Sequence, residues 1–207
     1  MTEAGYAGGA PILGEGLALD LMNTFYASRG KPAEGVGSTE HANAWVQQLA
    51  ERLTAAGAPS ARAARLGEAD LSSLLALREA VRGVAGALVG AGAPDRQDLD
   101  HVNRAAALSP RWTAIAWDGG VSKATQTAGA PAAQVLSALA NDAIDLFTGS
   151  NAGRLRLCER PGCVLFFLKD HPRREWCTPA CGARVRAARS YEKRVKRQRA
   201  VYPAEHG

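Results

Sequence analysis

A chain of 207 residues, 46% hydrophobic and 22% charged, has the length and apolar content for one domain or two small ones with a buried core. No run approaches the roughly 18 apolar residues of a membrane span, and MTEAGYAGGAPILGEG lacks the basic region of a signal peptide, so a cytoplasmic protein with no membrane partner is expected. The formal charge of +5 is uneven: residues 151–207 hold 14 Lys+Arg against 5 Asp+Glu, residues 1–150 hold 11 against 15, and only the tail suits a polyanion.

Residues 1–16, rich in Gly and Ala, read as a poorly ordered lead. LALDLMNTF, Leu17 to Phe25, is a short helix or a buried strand, a choice that periodicity leaves open at this length. SRGKPAEGVG then reads as a loop. Ser38 or Thr39 caps a helix through HANAWVQQLAERLTAAG, stopped by Gly57, with Ala42, Trp45, Leu49 and Leu53 on one face. A second helix runs from about Glu68 to Val89, where Leu71, Leu74, Leu75, Arg78, Val81 and Leu88 form an apolar stripe interrupted by one arginine. DRQDLDHVNRAAAL makes a third, shorter helix after Pro94.

RWTAIAWD, Arg111 to Asp118, alternates and is rich in strand formers; Asp118-Gly119-Gly120 turns it into VSKATQTA, the second strand of a small β-hairpin. Pro131 opens a helix that Gly149 ends, with Val135, Leu139, Ile144 and Leu146 on its buried side. Residues 150–154 mark the boundary between a helical domain, 1–150, and a C-terminal module, 151–207.

All four cysteines lie in that module, as Cys158-x4-Cys163 and Cys177-x3-Cys181. Two close pairs joined by a short connector can surround one tetrahedral Zn²⁺. Pro161 and Gly162 bend the first pair, VLFFL gives a short strand beneath the metal, and KDHPRREW returns the chain as a polar loop. Thr178-Pro179 starts a helix with Cys181 in its first turn, where the dipole favours a thiolate. The layout is treble-clef-like. Four thiolates fill the tetrahedron, so the ion is structural. A thiol-redox pair and an unmetallated cluster are the competing readings, and His171 is an alternative ligand.

Behind Cys181, the segment RVRAARSYEKRVKRQR has helical spacing. Arg186, Arg189, Lys193 and Arg197 fall on one face with Lys196 beside them, and Arg173 and Arg174 add charge near the helix start. Val185, Ala188 and Val195 are on the side that packs back. Such a stripe can neutralise several phosphates; the bland alternative is a solvated helix that aids solubility. Aromatic platforms other than Tyr191 and Tyr202 are missing from the segment, which favours duplex DNA over single strands.

These residues resemble the CGNR zinc-finger family: Arg173-Arg174-Glu175-Trp176-Cys177, then Cys181-Gly182-Ala183-Arg184 and a basic helix. LALDLMNT resembles the opening Leu-Asp-x-x-Asn-Thr element of the ABATE domain that accompanies this finger. The resemblance implies a bacterial transcription regulator linked to stress or metabolism, with the four cysteines as zinc ligands and Arg184 in the basic set. Ala183 stands where the family's motif has Asn, and the loop before Arg173 is shorter than usual.

In the front domain, Asp20 and Asn23 with Arg78 could line a small-molecule pocket; the alternative is a buried polar network that pins the N-terminal segment to the core. No Ser/His/Asp or Cys/His set or phosphate loop stands out, and His41 and His101 are isolated. The expected fold is therefore mainly α, a helical domain plus a four-cysteine finger and a basic helix. The expected protein is a zinc-stabilised DNA-binding regulator whose front domain senses an effector, forms a homodimer, or both. The alternative is a small-molecule-binding protein or enzyme with a structural finger.

Overall fold

The computed structural model describes residues 5–7, 10–28 and 30–201, with residues 5–7 and 198–201 described by their backbone alone. Helices dominate, and four antiparallel strand pairs are each two-stranded. The segment Leu17–Phe25 resolves into both of its alternatives. Helix α1, Leu17–Met22, is buried on every side, and the chain turns at Asn23 into a strand that starts at Phe25. Asp142 supports the start of α1 by accepting from the Ala18 N–H at 2.7 Å.

Two expectations near the N-terminus need correction. Within residues 1–16, Gly5–Ala7 (β1) pairs with Ala10–Ile12 (β2), and Ala10 is fully buried; residues 1–4 and 8–9 lie outside the described ones. The segment read as a loop is a hairpin, Phe25–Ser28 (β3) with Lys31–Glu34 (β4), turning at Gly30 with φ +79°. Pro32 hides it from pattern reading, because proline is tolerated in a strand at a free edge.

Ser38 caps α2, Thr39–Gln48, its Oγ accepting from the His41 N–H at 3.2 Å. The expected single helix breaks at Leu49 and resumes as α3, Ala50–Ala55; Gly57 ends it at φ +98°. Ala42, Trp45, Leu49 and Leu53 are all buried, as their spacing requires. Helix α4, Glu68–Val89, buries Leu71, Leu74, Arg78 and Val81, but its stripe stops at Ala85 and Leu88 faces solvent. Asp95 caps α5, Arg96–Ala106, accepting from Gln97 N–H at 2.7 Å. Pro131 is the first residue of α6, Pro131–Thr148. Helices α1, α4 and α6 touch one another around the core, with α5 laid across α4 and α6.

Between α5 and α6 stands the expected hairpin, Arg111–Trp117 (β5) against Val121–Thr127 (β6). After α6, a 3-10 turn at Ala152–Arg154 leads to β7, Leu155–Leu157, a strand absent from the sequence reading. It pairs with β8, Phe166–Leu168. Leu155 and Phe166 join the main core, while Phe167 packs with the cysteines on the other side. A long helix, α7, Pro179–Val201, ends the described chain.

Candidate metal centre and basic helix

The four sulfurs converge, all within 4.8 Å of one another. Cys163 and Cys177 are 3.8 Å apart, Cys177 and Cys181 3.5 Å, Cys181 and Cys163 4.0 Å. A tetrahedral zinc with Zn–S of about 2.3 Å needs sulfurs about 3.8 Å apart. The donor set therefore fits one structural zinc ion in size and chemistry. Cys158, Cys177 and Cys181 are buried and Cys163 is half-buried, against a small apolar shell of Leu165, Phe167 and Trp176.

Local sequence places each ligand. The Cys158 N–H donates to Leu165 carbonyl at 2.9 Å and the Cys163 N–H to Arg160 carbonyl at 2.8 Å, closing the first loop around Gly162 at φ +73°. Thr178 Oγ1 accepts from the Cys181 N–H at 3.3 Å and so caps α7, setting Cys181 in its first turn. Gly182 follows because a Cβ there would meet Trp176 Cδ1 at 2.7 Å.

Four sulfurs this close compete for protons through their mutual hydrogen bonds. Hydrogen bonding, with Cys163 first, holds the Cys158 thiol far above its usual range, while hydrogen bonding with Cys158 pulls Cys163 down to about 6. Hydrogen bonds with Cys158 likewise raise Cys177 and lower Cys181. Cys158, Cys163, Cys177 and Cys181 would hold a divalent zinc ion as four thiolates, which would end this competition. Arg160 already offers part of the balancing charge, its Nε donating to Cys181 Sγ at 3.2 Å.

From the metal loop, α7 runs out into solvent. Val185 is buried and Val195 half-buried, whereas Ala188, expected to pack back, is exposed. Arg184, Arg186, Arg189, Lys193, Lys196 and Arg197 are all exposed, as is Arg173. No carboxylate pairs with any of these seven among the described residues. Arg194 stacks over the Tyr191 ring at 5.5 Å, and Tyr202 lies outside the described residues.

Arg174, grouped with these cations in the sequence reading, is turned inward. It forms an ion pair with Glu15, donates to the Leu168 and Cys177 carbonyls at 3.0 and 2.8 Å, and lies over the Phe167 ring at 4.8 Å. The inward turn costs the stripe one cation and fastens the finger to the N-terminal segment. Glu15 also accepts from Leu168 N–H at 2.7 Å.

Asp20, Asn23 and Arg78 are buried, and each is spent on a different partner. Asp20 accepts from Leu13 and Gly14 N–H at 2.9 and 3.2 Å and from Arg52 at 2.5 Å. Burial raises its carboxyl above the usual range, and Arg52 and the two N–H groups offset part of that rise. Asn23 Nδ2 donates to the Phe166 carbonyl and its Oδ1 accepts from Phe166 N–H, both at 2.9 Å. Arg78 pairs with Glu34 at 2.6 Å and Glu79 at 2.9 Å and donates to Thr24 Oγ1 at 3.2 Å. A surface groove of about 480 Å³ lies elsewhere, lined by residues that include Arg65, Asp70, Leu108 and Leu136.

Sequence reasoning missed Glu15, Arg52 and Arg82. The Arg82 guanidinium lies over Phe25 and Phe166 at 5.2 and 5.3 Å and donates to the Met22 and Val164 carbonyls at 2.7 and 3.3 Å. Its position one helical turn after Arg78 is the only local signal for that role.

A helical domain joined to a four-cysteine metal centre and a cationic helix defines a zinc-finger protein. The ABATE family, described as "Putative stress-induced transcription regulator", matches residues 15–150, and the CGNR zinc finger matches residues 154–194. The first match spans more than half of the chain: the protein belongs to the ABATE family and carries a CGNR zinc finger behind that domain. Comparison with curated proteins finds no match. Among the described residues, no helix is long and apolar enough to cross a membrane.

Proposed function

We propose that the protein is a zinc-stabilised transcription regulator that binds duplex DNA through α7. The supporting observation is a set of exposed cations, none of them ion-paired among the described residues, on one helix whose first turn is fixed by the metal loop. Arg186, Arg189, Lys193 and Arg197 recur at helical spacing, so one face meets a phosphate backbone. An α-helix fits the major groove of B-DNA, and the finger holds this one clear of the acidic front domain. The front domain we assign to support: Asp20, Asn23 and Arg78 are all committed to internal partners.

Duplex binding by the zinc-loaded protein, followed across a salt series, tests this reading. Affinity should fall steeply with salt, and alanine at Arg186, Arg189 and Lys193 should make the log–log slope shallower by about 0.9 per lost phosphate contact. Zinc-loaded protein whose binding ignores salt, or that binds no duplex, would sink the proposal. An acidic protein that binds the basic helix where duplex DNA does not would instead favour a protein partner.

A further inference from the structure

The β5–β6 hairpin stands apart from the core. Ile115 is 84% exposed, Trp117 and Val121 75% each, and Trp112 51%. Trp117 is paired with Val121 and Ile115 with Lys123, so Ile115, Trp117 and Val121 share one face near the tip, and Trp112 lies on the other. A lone two-stranded hairpin is marginal in water, and apolar side chains on both faces add to what it must cover.

Its two edges differ. The Asp118 N–H donates to the Gly120 carbonyl and the Ala128 N–H to the Pro110 carbonyl, at 3.2 and 3.1 Å. Even-numbered residues of β5 thus spend their backbone groups inside the hairpin, and Arg111, Thr113, Ile115 and Trp117 turn theirs outward. Among the described residues, no further strand pairs with that edge. Free edges are normally blunted by lysine, proline or a bulge. The β6 edge carries Lys123; β5 has no charge or proline from Trp112 to Trp117.

We propose that the β5 edge is covered by a second copy of this chain, joining two hairpins into one four-stranded antiparallel sheet about a two-fold axis at Ala114. The strand fits itself. With all seven residues overlapped, Thr113 faces the partner's Ile115 with their outward backbone groups in hydrogen-bonding register; Arg111, whose guanidinium donates to the Ala56 carbonyl at 2.8 Å, ends the paired stretch opposite the partner's Trp117. On the other face, Trp112 meets the partner's Ala116, large against small, and Ala114 meets the partner's Ala114. The stretch Trp112–Trp117 carries no charge for a polyanion or a charged peptide to read, whereas isologous pairing satisfies both copies at once.

The test uses the full zinc-loaded chain. Light scattering at micromolar concentration should give twice the 21.7 kDa chain mass. Ile115→Lys, at a site too exposed to affect folding, should return the chain mass with circular dichroism and zinc content unchanged. Ala114→Cys should cross-link across the axis on mild oxidation, since non-hydrogen-bonded pairs bring Cβ atoms close. Ala124→Cys, about three strand spacings from its symmetry mate, should not. A wild-type monomer, an Ile115→Lys dimer, or equal cross-linking by both cysteine variants would overturn the proposal. A wild-type monomer that sediments with phosphatidylcholine vesicles would assign the hairpin to a lipid surface instead.

Discussion

Asn23 spends both ends of its amide on one residue 143 positions away, with the Phe166 carbonyl and N–H each at 2.9 Å. No other side chain of its size can donate and accept in that plane. Truncation leaves a buried strand with an orphaned donor and acceptor, so Asn23→Ala should cost roughly 2–4 kcal/mol. Asn23→Asp keeps the acceptor but sets a buried carboxylate against the Phe166 carbonyl, and should cost at least as much. Urea unfolding of the zinc-loaded protein measures both, and a loss below about 1 kcal/mol for Asn23→Ala would remove the residue from this role. The sequence marks Asn23 as polar in an apolar run and as the Asn of the Leu-Asp-x-x-Asn-Thr element. Its partner is invisible there because no local pattern links residue 23 to residue 166. Arg174 is hidden for the same reason: its Glu15 partner is 159 positions away, so the charge run around it reads as surface.

Among the elements, those whose causes are local are legible in the sequence. The helices from Thr39 to Thr148, apart from the break at Leu49, follow from apolar spacing and from Ser38, Asp95 and Pro131 at their starts, and the β5–β6 hairpin follows from alternation and a Gly-Gly turn. The cysteine pairs are equally plain, since both loops close within a few residues. Strands β3, β4 and β7 are not legible, being short and fixed by what they pack against. The finger itself depends on its ion, because the apolar shell of Leu165, Phe167 and Trp176 is too small to order it alone. Chelation should therefore release the metal loops and the start of α7, removing up to about a quarter of the helical circular-dichroism signal, the share of α7 among the helices. Strand β8 should keep its hydrogen-exchange protection, because Phe166 belongs to the main core. A fully zinc-stripped protein with undiminished helicity would show that the helix needs no metal.

On the scale of the whole molecule, the two family matches meet at residues 150 and 154, yet the packing does not divide there. Leu155 and Phe166, both behind that junction, are buried in the same cluster as Leu19, Leu74 and Leu139. Across the same surface run the Asn23 amide, the Arg82 bonds to the Met22 and Val164 carbonyls, and Glu15 with its hold on Leu168 and Arg174. A fragment ending at residue 150 would lose two core side chains, at about 2–4 kcal/mol each, and leave Asn23 and Glu15 without partners. Thermal unfolding should place that fragment well below the full chain, with exposed apolar surface detectable by dye binding. Removing only residues 196–207, past the end of the finger match, should leave the transition where it is. Equal melting of the 1–150 fragment and the full chain would mean that the shared core contributes nothing. If the fragment is the weaker, strain placed on the basic helix has a packed route, through β8 and Asn23, to α1 at the centre of the front domain.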